Sequence, residues 1–305
     1  MTVTTQPKID LTSRLVKGIL SIEPLANFAK SRARQMMIKR AEVMGVSWRE
    51  NVQQLSDRNW SEDFAQIQNP DLKYPDYYTT SFHAYSEGNL SWQAAWEVES
   101  AARSVHGKIW PEIGVNGDTM LRQSYHQALQ HHLTITPTKI LDLGCGVGMS
   151  SIALQEVYPS AEITGIDLSP YFLAVAKYRG EQQQHPIKWI HGAAESTGLA
   201  NQSFDLVSAS LVFHELPATA ARAIITEAHR LLRPGGYLSI MDMNPQSSVF
   251  QKMPPYVLTL LKSTEPYLDE YFALDMEQTF VEAGFATPCI SVTTPRHRII
   301  IAQAQ

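Results

Sequence analysis

The segment Lys139-Ile140-Leu141-Asp142-Leu143-Gly144-Cys145-Gly146-Val147-Gly148 constrains this chain more than any other. An apolar run breaks into three closely spaced glycines and then enters a stretch of helical periodicity, which reads as a buried strand, a tight turn and a helix. Glycine suits such a turn because it adopts positive φ and because its missing side chain lets a ligand approach the backbone. The amides that open the helix can then receive an anion. A dinucleotide fingerprint asks for glycine or alanine where Met149 stands, whereas the glycine falls one residue earlier at Gly148. That offset argues against a pyrophosphate and for a smaller ligand.

The next apolar run, Ile163-Thr164-Gly165-Ile166-Asp167-Leu168-Ser169, ends in an acid. A carboxylate at the end of a second strand can accept hydrogens from both hydroxyls of a ribose. The plainer alternative is a turn residue ahead of a helix that Ser169 caps before Pro170. Strand and helix patterns then alternate, with strands expected at 138–143, 162–167, 187–191, 204–210 and 236–242. Helices are expected at 147–157, 170–183, 218–232 and 275–284. Arg233-Pro234-Gly235-Gly236 reads as the turn that sets the fifth strand. Residues 287–294 and 298–303 read as a closing hairpin, so the fold class is α/β: a seven-stranded, mostly parallel sheet with an antiparallel C-terminal strand.

The N-terminal third is different. Residues 11–47 read as two short helices separated near Pro24, with Leu11, Leu15, Val16, Ile19, Leu20 and Phe28 among their apolar positions. Lys8 to Arg40 holds eight basic and two acidic residues, so this stretch carries +6 and leaves −11 to the rest of a chain whose total is −5. Lys30, Arg32, Arg34, Lys39 and Arg40 could make a peripheral membrane contact or a partner-binding face, or simply a solvated one. A pI of 6.1 gives no general attraction to nucleic acid. An aromatic stretch from Trp60 to Tyr85, including Phe82, precedes helices expected at 92–110 and 120–133, and a boundary falls near residue 115. Residues 1–115 are thus expected to form a helical cap and 116–305 the main domain. Two cysteines make neither a disulfide framework nor a closed zinc site, and the sequence shows no signal-peptide h-region or long apolar run. A cytoplasmic protein is expected.

The segments ILDLGCGVG, GIDLSP, NQSFDLVSASLVFHELP and LLRPGGYLSIMD resemble the successive motifs of class I S-adenosylmethionine (SAM)-dependent methyltransferases, above all the small-molecule branch that includes quinone and sterol enzymes. The resemblance spans about residues 115–305 and implies a Rossmann-like fold, SAM as cofactor and S-adenosylhomocysteine (SAH) as product. It implies further that the turn residues Asp142, Gly144, Cys145, Gly146 and Gly148 hold the methionine end of SAM. Asp167 would hold the ribose, and Leu168, Ala194, Glu195 and Ser210 would complete the cofactor site. Similar proteins carry a pattern resembling G-D-A-E after the third strand; here Gly192-Ala193-Ala194-Glu195 replaces that acid, so Glu195 or backbone carbonyls would receive the adenine amino group.

Ser210 to Pro217 ends the fourth strand where a methyl acceptor would lie. His214 is a candidate base and Glu215 its orienter or a substrate ligand, the alternative being a backbone-bonded histidine and a helix cap. Asp242, ending the fifth strand, is either a site residue or a turn residue. The insertion at 244–274, with Tyr256, Tyr267 and Tyr271, could form a lid over an apolar acceptor, and Tyr85, Trp92 and Trp96 its other wall; the alternative is that these aromatics are cap core. No ligand cluster for a metal is visible, and none is expected. The chain therefore reads as a SAM-dependent methyltransferase acting on a small, apolar or aromatic acceptor. A protein or RNA methyltransferase using the basic arm, or a non-catalytic SAM-binding module lacking the acid at Ala193, are the other readings. Oligomeric state is not legible in the sequence.

Overall fold

Residues Lys139–Leu143 (β1), Glu162–Asp167 (β2), Lys188–His191 (β3) and Phe204–Ser210 (β4) are short and rich in Ile, Leu and Val, as strands covered on both faces must be. In the computed structural model, which describes residues 23–79, 85 and 87–305 and the side chains from residue 31 onward, they form a seven-stranded sheet with Leu232–Met243 (β5), Cys289–Val292 (β6) and His297–Gln303 (β7). The order is β3-β2-β1-β4-β5-β7-β6. The first five strands run parallel, and β7 pairs antiparallel with both β5 and β6. β5 begins four residues earlier than the sequence predicts, because the Arg233–Gly236 turn is taken into the strand as an irregularity between Phe204 and Leu206 of its neighbour, with Gly235 at φ +81°.

Alternate residues of each strand serve opposite faces. Leu141 and Leu143 pack with Val207, Ala209 and Ile240 against Ala218–Leu231 (α8), whose buried Ala221, Ile224, Ile225 and Ala228 form one helical stripe. Ile140 faces the other way, with Leu206 and Met241, against Gly117–His132 (α5) and Met149–Val157 (α6), where Leu121, Leu129 and Leu154 are fully buried. Each such aliphatic side chain contributes about 1.5–3 kcal/mol by leaving water. Pro170–Gln182 (α7) follows β2, and the Ser169 hydroxyl caps it by accepting from Phe172 N at 3.2 Å.

The N-terminal helices Glu23–Val43 (α1), Trp48–Ser56 (α2), Ser61–Ile67 (α3) and Trp92–His106 (α4) stack on one another and on α7. Asp63 of α3 accepts from Lys177 of α7 at 3.1 Å, and Leu55, Trp60, Ala94 and Ala95 share a cluster with Val147, Phe172 and Val175. α1 runs without a break from Glu23 to Val43; Pro24 stands in its first described turn, where a missing amide costs nothing. The first expected helix (residues 11–20), the side chains of Phe28 and Lys30, and Phe82 lie outside the described residues. Arg34, read as part of a basic surface, instead forms an ion pair with the buried Glu97 of α4, while Arg32, Lys39 and Arg40 are exposed. Residues 244–274 fold as Ser248–Gln251 (α9), Pro255–Thr264 (α10) and Leu268–Ala273 (α11), followed by Met276–Glu282 (α12). Among the described residues no helix is long and apolar enough to cross a membrane.

Candidate active site

At the carboxyl ends of β1, β2 and β4 lies a cavity of about 200 Å³. The turn after β1 lines it with Gly144, Cys145, Gly146 and Val147, the end of β2 with Asp167 and Leu168, and the loop after β3 with Gly192, Ala194 and Glu195. Ser210, Val212, Glu215 and Leu216 close the side beyond β4. Gly146 sits at φ +54°, and a Cβ there would meet nothing nearer than Phe172 Cδ2 at 3.9 Å, so the backbone is bare toward the cavity.

Two of the expected turn residues stand behind the cavity wall rather than at it. Asp142 shares the strand face of Ile140 and is fully buried; its Oδ2 accepts from the hydroxyls of Ser150 and Ser151, both at 2.6 Å, and so fixes the start of α6 to β1. Gly148 precedes α6 at φ +83°, where a Cβ would lie 2.8 Å from the Trp189 ring and 3.1 Å from Ala176 Cβ. Its smallness serves close packing of turn, helix and sheet.

Asp167 fulfils the turn role and faces the cavity as well. Its Oδ2 accepts from Gly146 N and its Oδ1 from Ser169 N, each at 2.8 Å. Burial pushes its carboxyl up to about 6 against these amide bonds, and burial likewise raises Asp142 to about 6. Two tyrosines from the aromatic stretch complete this end. Tyr77 and Tyr78, on a single turn of 3-10 helix at Asp76–Tyr78, line the cavity; Tyr77 donates to Glu195 and Tyr78 to Asp167 Oδ1 at 3.4 Å. Burial holds both phenols well above their ordinary range, so both stay donors.

His106 and Arg122, which no local signal marks, also line the cavity. Asp118 orients both, accepting from Arg122 Nε at 3.0 Å and bonding His106 Nδ1 at 2.6 Å. Burial of Asp118 would raise its carboxyl, but Arg122 and His106 outweigh that and hold it far below the usual range.

Beyond β4, His214 is buried with its Nδ1 on Asp242 Oδ1 at 2.7 Å. Asp242 also accepts from the amides of Phe213, His214 and Met243. Burial alone would lower the imidazole, but Asp242, Glu265 and Glu215 reverse this and raise it to about 10. Asp242 thus makes the ring hold its second proton more tightly than a free imidazole does. Asp242, left open between site and turn, is the group that orients it. Glu215 faces the cavity.

The expected aromatic wall is displaced. Val98, Ala102 and His106 of α4 line the cavity at i, i+4 and i+8. Trp92 and Trp96 belong to the stripe roughly 200° round the helix. They stack on each other at 6.0 Å, and Trp92 packs with Trp60, Phe64 and Tyr171 in the contact between cap and α7. Tyr85 donates to Glu97. In the insertion, Tyr271 is core, with its hydroxyl on Met243 O at 2.9 Å, and Tyr256 is 44% exposed. Tyr267 does not line the cavity but packs edge-on against Tyr77, which does, with ring centroids 6.3 Å apart. Among the described residues His214, Glu215 and Glu265 bring one potential ligand atom each to within 4.8 Å of one another, a cluster the sequence reading did not see.

A glycine turn after the first of five parallel strands, an acid ending the second, and a cavity above them define a Rossmann-like α/β transferase domain. A family model described as a methyltransferase domain matches residues 140–236. A methyltransferase of Synechocystis sp. described as uncharacterized is 30% identical over 164 residues, covering 53% of this chain and 74% of that relative. A ubiquinone biosynthesis O-methyltransferase of Psychrobacter arcticus is 32% identical over 48% of this chain and 58% of its own length; a Staphylococcus aureus demethylmenaquinone methyltransferase is 33% identical over 46% and 57%. The chain thus spans little more than half of these two relatives. In fold it is similar to a Haemonchus contortus phosphoethanolamine N-methyltransferase solved with SAM, at a TM-score of 0.52 and 15% identity over 76% of this chain and 60% of that one. The chain belongs to the class I SAM-dependent methyltransferases; it is an enzyme, and SAM is its methyl donor.

The cavity suits that cofactor. Glu195 Oε2 is buried without a hydrogen-bond partner among the described residues, Gly146 leaves its backbone bare, and Arg122 and Asp167 both line the cavity.

Proposed function

We propose that this methyltransferase acts on a small, apolar or aromatic acceptor, and that the cavity between cap and sheet holds SAM in one direction. Asp167 takes the ribose hydroxyls on its remaining lone pairs, with Tyr78 fixing its orientation. Leu168 and Ala194 flank the adenine, and Glu195, steadied by Tyr77, receives the adenine amino group in place of the acid missing at Ala193. Arg122 at the far end pairs with the carboxylate, an anchor that Asp118 keeps oriented. The single observation that carries this reading is the placement of Asp167, Glu195 and Arg122 around one cavity floored by Gly146.

When bound, SAM supplies a methyl group already activated by its sulfonium charge. What remains for the protein is alignment and exclusion of water, and positioning accounts for most of the rate. Val98, Val212, Leu216 and Ile224 give the cavity apolar walls, and Glu215 is the polar side chain on the acceptor side beside Ser210. Glu215 orients an acceptor hydroxyl or amine toward the donor, while His214, bonded to Asp242, keeps the loop after β4 closed. The names of two relatives point to ubiquinone and menaquinone as the chemistry of those enzymes, which supports an aromatic ring bearing oxygen as the acceptor here.

Calorimetric titration with SAM and with SAH tests the site. Asp167→Ala is expected to weaken SAM at least about tenfold, the loss of charge-assisted hydrogen bonds worth about 1.5–3 kcal/mol. Unchanged affinity in that variant would remove the ribose assignment. Transfer of labelled methyl from SAM to phenols or quinols tests the acceptor class.

A further inference from the structure

The group formed by His214, Glu215 and Glu265 goes beyond cofactor binding. We infer that these three side chains are the ligands of one divalent cation on the acceptor side of the cavity, a first-row ion of the Mn²⁺ or Zn²⁺ type that holds the acceptor through an oxygen.

Geometry carries the assignment. One ligand atom from each residue lies within 4.8 Å of the other two, and His214 Nε2 is 4.0 Å from Glu215 Oε1. Bonds of about 2.0–2.2 Å to a shared ion put neighbouring ligand atoms roughly 3–3.5 Å apart, so rotations on the order of an ångström close the set. The histidine is already aimed. Asp242, fully buried and held by three backbone amides, accepts from Nδ1 at 2.7 Å, which fixes the ring and turns Nε2 toward the two glutamates. A carboxylate behind a histidine whose other nitrogen faces further carboxylates is the arrangement by which proteins orient and strengthen an imidazole ligand.

Charge points the same way. Three carboxyl groups surround one imidazole, and His214, Asp242 and Glu265 are each less than a tenth exposed. One nitrogen and two carboxylate oxygens, with no thiolate, suit Zn²⁺ or Mn²⁺ and leave coordination positions open. Glu215 lines the cavity, so those positions face it. The ligands come from two elements, the turn after β4 and the end of α10 in the insertion at 244–274, so the cation also ties that insertion to the site.

The acceptor part of this inference rests on the methyl-transfer reading above; the cation site itself does not. The full chain, treated with chelator and desalted, is titrated with Mn²⁺ while free Mn²⁺ is followed by electron paramagnetic resonance, and Zn²⁺ is then added as competitor. One Mn²⁺ per chain, displaced by Zn²⁺, is expected, and Glu265→Gln and His214→Asn should each weaken it at least about tenfold. Glu265 is not among the residues lining the cofactor cavity, so Glu265→Gln titrated with SAM in chelator buffer should match the parent protein, which reports an intact fold. Absence of Mn²⁺ and Zn²⁺ binding by protein that still binds SAM, or equal Mn²⁺ affinity in the parent and Glu265→Gln, would overturn the cation site and leave the methyltransferase reading standing. Loss of SAM binding by the parent protein would instead count against the cofactor assignment.

Discussion

Asp167 shows how much a single residue can owe to its neighbours. Its two oxygens accept amide hydrogens from the glycine turn and from Ser169, so the turn role and the ligand role foreseen for it coexist in one side chain. The same burial that makes those bonds strong raises its carboxyl to about 6. In the free protein, native Asp167 therefore binds more protons than the unfolded chain between about pH 4 and 6, and its contribution to stability falls as pH rises through that window. Ribose hydroxyls need the ionised form, so SAM affinity moves the other way: it should fall as pH drops through 6, by up to about tenfold per unit well below it. Calorimetry from pH 7.5 to 5 is expected to show this decline in the parent protein and a weak, flatter profile in Asp167→Asn. A parent profile that stays level would mean that ribose binding does not depend on this carboxylate. Asp167 was legible in the sequence because its strand, turn and cap are contiguous. Tyr77, Tyr78, Arg122 and Glu265 were not, since each reaches the site across the fold from a segment whose local pattern marks it only as loop or helix. The contact of His214 with Asp242 was not legible, because the chain reaches that carboxylate only 28 residues later.

Within the β1–α6 element, adjacent glycines do different work. Trp189 of β3 lies against Gly148, Gly165 and, at 3.4 Å, Gly180, so its indole occupies a seat that exists only because three side chains are missing. Gly148→Ala puts a Cβ 2.8 Å from that ring at φ +83°, and should cost at least about 2 kcal/mol from backbone strain and overpacking together. Gly146→Ala meets open space, so it carries about 1–2 kcal/mol of backbone strain only, and its methyl group projects where the cofactor is proposed to lie. Urea midpoints should therefore fall further for Gly148→Ala, while SAM affinity should fall further for Gly146→Ala. The reverse ranking would show that the turn residues had been assigned to the wrong sides of the wall. At this scale the sequence was most informative: all seven strands and every helix after β1 through α8 follow from apolar periodicity and turn residues. It misjudged β5 because a glycine turn can be absorbed into a strand as an irregularity, which only the register with β4 reveals. It misplaced the aromatic wall because Trp92 and Trp96 differ from Val98 and Ala102 in which stripe of α4 meets the cavity, and composition carries no information about how a helix is rotated.

On the scale of the whole molecule, the cavity lies between the N-terminal helices and the sheet rather than within either. Asn89, Val98, Ala102 and His106 come from the first and the glycine turn from the second, and Ser169 Oγ donates to Asn89 O at 2.7 Å across the seam. The segment that carries Tyr74 to Tyr78 is fastened to the ends of β2 and β3 through side chains: Asn69 N donates to His191 Nδ1 at 2.9 Å, and the hydroxyls of Tyr74, Tyr77 and Tyr78 bond His191 Nε2, Glu195 and Asp167. Loop segments fastened through side chains open with less free energy than a core strand does. A ligand that bridges both sides stabilises the assembly by about 2.7 kcal/mol at a hundred times its Kd, and the gain appears wherever opening breaks its contacts. Hydrogen exchange with and without SAM is therefore expected to show protection rising about a hundredfold in peptides covering residues 74–78 and 98–106 as well as 144–168, while β6 and β7 at the far edge stay unchanged. If protection rises in 144–168 alone, the N-terminal helices cover the cofactor without binding it, and the roles proposed for Tyr77 and Tyr78 fall together, whereas those of Asp167 and Gly146 do not.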